Sequence, residues 1–104
     1  MASRIAMNVD WDFTAQTYLD QLPPQEQTKV LHAVERLGAG WPQVEEPRHI
    51  QLIASSSEEK GNLYSLRVGN DLRVLFRRQG EAITIVDVVR RSQIDGLRQL
   101  RRHG

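Results

Sequence analysis

The residues best suited to chemistry in this 104-residue chain are arginines, and most of them lie in its second half. From Tyr64 onward the chain has nine arginines, no lysine and four acidic residues, whereas the part before it has five basic and nine acidic residues. Arginine presents a planar fork of N–H donors that matches the oxygens of a phosphate group. The charge split therefore predicts an anionic partner for one face, although a solvated surface that uses arginine would have the same composition.

Two of these arginines are predicted to face each other across a hairpin. Apolar residues alternate with polar ones on both sides of Gly69-Asn70-Asp71, which is typical of antiparallel strands joined by a three-residue loop. That register turns one apolar side toward the core. It leaves an open side that carries three arginines, one serine and one leucine: Arg67, Arg73, Arg77, Ser65 and Leu75.

The predicted pairing of Arg67 with Arg73 is unfavourable unless an anion lies between the two side chains. The hairpin therefore predicts a phosphate-binding surface. The alternative is internal neutralisation by a nearby acid, which could be Asp87, Glu45, Glu46 or the C-terminal carboxylate.

The next hairpin is expected to extend the same apolar face. With a two-residue turn at Gln79-Gly80, the register places Phe76 opposite Ile83, Val74 opposite Ile85 and Arg73 opposite Val86. The last strand then leaves the sheet into Arg90-Arg91.

Other kinds of chemistry have little support in the sequence. The chain has no cysteine, which excludes thiol nucleophiles, disulfides and cysteine-ligated zinc. Its three histidines, at 32, 49 and 103, lack metal-ligand spacing. No glycine-rich phosphate loop, nucleophile elbow or paired-carboxylate motif is present. We therefore expect no metal and no cofactor.

The length fits a single domain, residues 1–104, of the α+β class. The expected order is β-α-α-β-β-β-β-α, in which an N-terminal strand and a two-helix hairpin pack on one face of an antiparallel sheet and a helix closes the chain. The expected ranges are 4–9, 12–22, 24–37, 49–53, 63–68, 72–77, 82–88 and 92–102. Pro23-Pro24 separates the first two helices, and Gly38 is predicted to end the second.

The sequence favours a cytoplasmic location. No apolar stretch approaches the roughly 20 residues that a membrane span needs. Arg4 and Asp10 precede any apolar run of signal-peptide length, which argues against export by that route.

The hairpin from Leu63 to Phe76 resembles the central hairpin of the RelE/ParE toxin superfamily, in which a tyrosine precedes Leu-Arg-x-Gly and a second arginine is followed by apolar residues. The run from Ile83 to Arg91 is similar to the last core strand of that family and its trailing basic residues. The two helices ahead of the sheet and the total length also match.

This resemblance implies the toxin of a type II toxin–antitoxin system, with RelE-like members favoured. Such toxins are mRNA endoribonucleases (mRNA interferases) that cleave mRNA in the ribosomal A site and repress translation. The implied partners are a cognate antitoxin, which forms a hetero-oligomer with the toxin, and the ribosome with its mRNA. By their match to the family motif, Arg73, Arg91 and Arg67 are expected to be the catalytic residues. Arg77 and Arg90 are further candidates for RNA phosphate contacts.

The sequence departs from the family where a general base is expected. Many RNA-cleaving members have a tyrosine, sometimes with a histidine, near the C-terminus, but residues 92–97 contain neither. Glu46, followed by Pro47, resembles a general-base glutamate of the YoeB branch. The alternatives are a ParE-like inhibitor of DNA gyrase without nuclease activity, or a degenerate member that only binds its antitoxin.

Overall fold

A computed structural model describes residues 8–40, 49–54 and 61–94 of the chain. Two helices and five strands follow one another in the predicted order: β1 (Asn8–Trp11), α1 (Phe13–Gln21), α2 (Pro24–Gly40), β2 (Ile50–Ala54), β3 (Asn62–Val68), β4 (Leu72–Gln79) and β5 (Ala82–Arg90). Residues 91–94 form one helical turn. The rest of the predicted C-terminal helix, most of the predicted first strand, and Glu46 lie outside the described residues.

The five strands form one sheet in the order β1-β5-β4-β3-β2. Every pair is antiparallel except β1 with β5, which is parallel. A parallel pair cannot be joined by a tight turn, and here the two helices and three strands lie between its members. Both helices pack on one face of the sheet, which confirms the predicted α+β class.

The main core lies between the helices and this face of the sheet. It is closed by fully buried side chains from α2, β4 and β5, among them Val30, Leu37, Phe76, Ile83 and Ile85. The rings of Tyr64 and Phe76 stack with their centroids 5.3 Å apart. Burial of large apolar side chains is the main term that stabilises a domain of this size, so this face carries most of the fold's stability.

The second helix begins at Pro24, as predicted, but does not end at Gly38. It continues to Gly40, and Gly38 is not among the described glycines with positive φ. A glycine inside a helix costs only about 0.5–1 kcal/mol. Gly38 is itself buried, and it lines a groove with Val9 and Trp11 of β1. Packing against the first strand therefore keeps Gly38 helical.

The register of the first hairpin is confirmed. Val68 pairs with Leu72, Leu66 with Val74, and Arg67 with Arg73, in the arrangement that the three-residue loop predicts.

The predicted register of the second hairpin is wrong, because its turn and its bulge were not foreseen. Gln79 pairs with Ala82, which puts the turn at Gly80-Glu81 rather than at Gln79-Gly80. Phe76 then pairs with Ile85, whereas Leu75 pairs with Asp87. Val86 is therefore an extra residue in β5, and Arg73 lies opposite Val89 instead of Val86.

Among the described residues, neither helix combines the length and the apolar character needed to span a bilayer.

Candidate anion-binding face

The face of the sheet turned away from α1 and α2 is called the outer face below. Arg67 and Arg73 face each other on it across β3 and β4. Arg67 is exposed, with Nε donating to the Gly69 carbonyl and Nη2 to the Asn70 side-chain oxygen, both at 3.1 Å. Arg73 is half-buried, and its Nη1 donates to the Leu72 carbonyl at 2.8 Å.

The hydrogen bonds of Arg67 orient its positive charge without cancelling it. Among the described residues, its acceptors are a backbone carbonyl and a side-chain amide, which carry no net charge. A fixed guanidinium that keeps its charge is suited to stabilising charge that develops on a phosphate.

The middle of the outer face is covered, so the predicted open column of arginines is wrong there. Leu75, Val89 and Ile94 are each 6% exposed and form a second apolar cluster, bordered by Ile53, Leu63 and Val86. Ser65 is also buried. Because Ile94 belongs to the helical turn 91–94, that turn packs over this face. The arginines lie around the cluster rather than across it.

Arg77 lies on the other side of Leu75 from Arg73 along β4. It is half-buried, and its Nη1 donates to the Gly61 carbonyl at 3.1 Å. It also lines a pocket of about 370 Å³ together with Asp12, Thr84 and Val86.

Arg90 lies on the helix side of the sheet, because it pairs with the core residue Leu72. Its Nη1 and Nη2 donate to the two carboxylate oxygens of Glu26 at 2.8 and 3.0 Å, and Nη1 also contacts Asp71 at 3.0 Å. The hydrogen bonds with Arg90 lower the pKa of Glu26, and the same hydrogen bonds with Glu26 raise the pKa of Arg90. These ion pairs balance the charge of Arg90 and join α2 to β5. Arg90 therefore lies on the opposite face of the sheet from Arg67 and Arg73, with its charge already matched.

Arg91 is exposed and begins the helical turn that follows β5. Its backbone N–H donates to the Asp71 carbonyl at 2.7 Å, which places it at the same end of β4 as Arg73. Within the described ranges its side chain has no hydrogen bond or ion pair. The structure therefore brings Arg67, Arg73 and Arg91 to one end of the sheet, whereas Glu46 lies outside the described residues.

The sequence interpretation considered Asp87 only as an acid that could neutralise the arginines. It did not foresee Asp87 as a functional group on the outer face. Asp87 is half-buried, and its Oδ1 accepts a hydrogen bond from the Val88 backbone N–H at 2.8 Å. Burial raises the pKa of Asp87, and the hydrogen bond from Val88 opposes that rise. Only the extra residue in β5 brings Asp87 to this face, and no residue type in that strand signals a bulge.

The sequence interpretation also missed a cleft between α2 and the hairpin loop. This basic cleft, of about 600 Å³, is lined by five basic side chains and, among the described residues, by no carboxylate: Lys29, His32, Arg36, His49 and Arg67. The first three are spaced by three and four residues, which places them on one side of a helix. That spacing was the available signal. Arg67 belongs to both the basic cleft and the outer face, so it connects the two surfaces.

In the part of the chain that the structure describes, no group of three or more potential ligands could hold a metal ion.

No protein-family model and no curated protein matches this sequence. Solved structures do. A chain of the archaeal RelE–RelB complex from Pyrococcus horikoshii OT3 matches with a TM-score of 0.68 and 19% identity, covering 85% of this chain and 98% of that one. A chain of the RelBE2 toxin–antitoxin complex from Mycobacterium tuberculosis matches with a TM-score of 0.53 and 25% identity, covering 83% and 99%. A chain of the ParDE system from P. aeruginosa matches with a TM-score of 0.53 and 17% identity, covering 83% and 97%.

The chain therefore has the fold of the RelE/ParE toxin superfamily, as the resemblance of its hairpin predicts. Both the RelE and the ParE branches are represented among the similar structures.

Proposed function

We propose that this chain is the toxin of a type II toxin–antitoxin system and that it cleaves mRNA in the ribosomal A site, which represses translation. The observation that carries the proposal is the group of Arg67, Arg73 and Arg91 at one end of the sheet. Such a group matches the doubly charged phosphorane-like state that RNA cleavage passes through.

In the proposed reaction, the 2′-oxygen of the RNA attacks the adjacent phosphorus while the bond to the 5′-oxygen breaks. Negative charge builds up on the non-bridging oxygens. Arg73 and Arg91 stabilise that charge, and Arg67 positions the phosphate from across the hairpin. Removing one such donor from an enzyme typically costs about 10²–10³ in rate. Arg77, on the other side of Leu75, would hold a neighbouring phosphate.

The basic cleft extends this surface beyond the scissile phosphate. Because Arg67 lines both regions, an RNA backbone bound at the outer face can continue past the hairpin loop toward Lys29 and His32 of α2. Phosphate contacts of this kind add affinity without reading sequence, which suits a protein that acts on mRNA held by the ribosome.

We further propose an antitoxin as the protein partner and a cytoplasmic location. The similar structures include complexes of RelE with RelB and of ParE with ParD. An antitoxin that places carboxylates against Arg67 and Arg73 would neutralise the same charges that the reaction needs.

A second candidate function is inhibition of DNA gyrase without RNA cleavage. The ParDE chain matches this fold with the same TM-score as the RelBE2 chain. Residues 92–97 also lack the tyrosine and histidine of many RNA-cleaving relatives.

Primer extension on an mRNA bound to programmed ribosomes separates the two functions. The purified protein is expected to introduce a new cut within the A-site codon and to leave gyrase supercoiling unaffected. Blocked supercoiling with no cut at any concentration would replace the nuclease proposal by the gyrase one.

A further inference from the structure

Removal of the proton from the attacking 2′-hydroxyl needs a base, which the arginines do not provide. We propose that Asp87 accepts the proton of the attacking 2′-hydroxyl, an inference that rests on the proposed RNA cleavage. An arginine side chain stays protonated and cannot serve as a base. Among the described residues, the register places two strand carboxylates on the outer face. Asp10 is exposed and lies on β1, two strands from Arg77, whereas Asp87 is half-buried and lies next to β4, beside both Arg73 and Arg77.

The bulge in β5 is what aims Asp87 at that face. Ile85 is fully buried in the main core, so simple alternation along the strand would return residue 87 to the core. The extra residue Val86 shifts the alternation by one. Val88 then enters the core in its place, and Asp87 turns outward. Bulges occur often beside active sites, where they redirect a side chain.

The register also fixes the neighbours of Asp87. Its partner on β4 is Leu75, so Arg73 and Arg77 are its two diagonal neighbours on the same face. Diagonal cross-strand residues lie roughly 7–8 Å apart. A carboxylate at that separation can contact the ribose of a nucleotide whose phosphate is held by Arg73.

Asp87 forms no ion pair with a described residue. Its Oδ1 accepts a hydrogen bond from the Val88 N–H, and Oδ2 has no hydrogen bond to the described residues. Asp87 is therefore not an acid that neutralises the described arginines by an ion pair, whereas the other acids named from the sequence, Glu45, Glu46 and the C-terminal carboxylate, lie outside the described residues. A half-buried carboxylate with an oxygen to which no described residue donates is suited to accepting a proton from substrate.

Charged groups of both signs share the outer face with Asp87. Arg73 and Arg77 lie beside it on β4, Asp10 of β1 lies opposite Thr84, and Asp12 lines the Arg77 pocket. The pKa of Asp87 is raised by burial and lowered, to a smaller extent, by the hydrogen bond from Val88. A raised pKa makes the carboxylate a stronger base than an exposed one.

Asp87 acts as the base in the proposed step, and water acts as the acid that protonates the leaving group. The bond from the 2′-oxygen to phosphorus forms as the bond to the 5′-oxygen breaks, and Asp87 takes the 2′ proton. The departing 5′-oxygen takes a proton from water. The products are a 2′,3′-cyclic phosphate and a 5′-hydroxyl end, and Asp87 then returns its proton to solvent.

The test compares wild-type protein with Asp87→Asn in single-turnover cleavage on programmed ribosomes across pH. Asparagine keeps the shape of the side chain and the acceptor for Val88, but it cannot take a proton. We expect a loss of about 10²–10⁴-fold in rate and disappearance of the acidic limb of the pH profile. Glu81→Gln removes a charge from the exposed turn of the same hairpin and is expected to keep the wild-type rate and profile.

Two results would overturn the assignment. In the first, Asp87→Asn cleaves at the wild-type rate. In the second, it cleaves slowly but the acidic limb of its pH profile is intact, which would make Asp87 a structural residue. Circular dichroism checks that the variant folds, and Asp87→Ser takes its place if it does not. Failure of the wild-type protein to cut would instead remove the proposed function and this inference together.

Discussion

The two faces of the sheet are built by the same strands but have different tasks. On the helix side, Val74, Phe76, Ile83 and Ile85 are fully buried in a continuous core. The outer face has a small apolar cluster, with arginines around it and a half-buried acid, Asp87. A face that contributes little to stability can keep polar groups in unfavourable surroundings, and such groups are frequent at functional sites.

The charges of the two faces are also handled differently. On the helix side, Arg90 is matched by the carboxylates of Glu26 and Asp71. On the outer face, Arg67 and Arg77 donate to neutral oxygens, which hold the side chains in place and preserve their charge. The difference suits Arg67 and Arg77 to an anionic ligand, since the described residues place no carboxylate in hydrogen-bond contact with either side chain.

The largest effect is expected from the helix side. Phe76→Ala should cost about 3–5 kcal/mol of unfolding free energy, because it removes a fully buried ring, whereas Leu75→Ala should cost nearer 2 kcal/mol. Urea denaturation followed by circular dichroism measures both. Equal losses from the two neighbouring residues would show that the outer cluster stabilises the fold as much as the main core.

A smaller effect is expected in the basic cleft. Lys29→Ala should weaken binding of single-stranded RNA and reduce the salt-dependence slope by about 0.7, the value for one phosphate contact. Fluorescence anisotropy over a series of salt concentrations measures this. Arg78→Ala, on the helix side of β4, is the matched control and should leave the slope unchanged. Weaker antitoxin binding with unaltered RNA binding would instead make the cleft a protein-docking surface.

The smallest effect is expected from the ion pair of α2 with β5. Arg90 lowers the pKa of Glu26 below its usual 4.5. The pair therefore stabilises the fold above that value, and the stabilisation is lost as the pH falls through the lowered pKa. Glu26→Gln should be slightly less stable than wild type at pH 7 and equal to it at strongly acidic pH. A difference that persists in acid would mean that the glutamine disturbs packing rather than charge.

The sequence predicts the β3–β4 register because an apolar alternation on both sides of Gly69-Asn70-Asp71 permits one pairing. It does not predict the β4–β5 register, because Val86, the inserted residue, is apolar like its neighbours and the strand reads equally well with or without a bulge. The direction of Asp87 depends on that insertion. Similarly, the basic cleft depends on how α2 packs beside the hairpin loop, which is a long-range property.

We propose that the outer face, and not the helix side, performs the chemistry. Arg73 and Arg78 lie on the same strand but on opposite faces, so they form a matched pair for the A-site cleavage assay. Arg73→Ala should fold normally and lose about 10²-fold or more in cleavage rate, while Arg78→Ala should retain most of it. Wild-type cleavage by Arg73→Ala, or equal losses in both variants, would show that the outer face does not perform the chemistry.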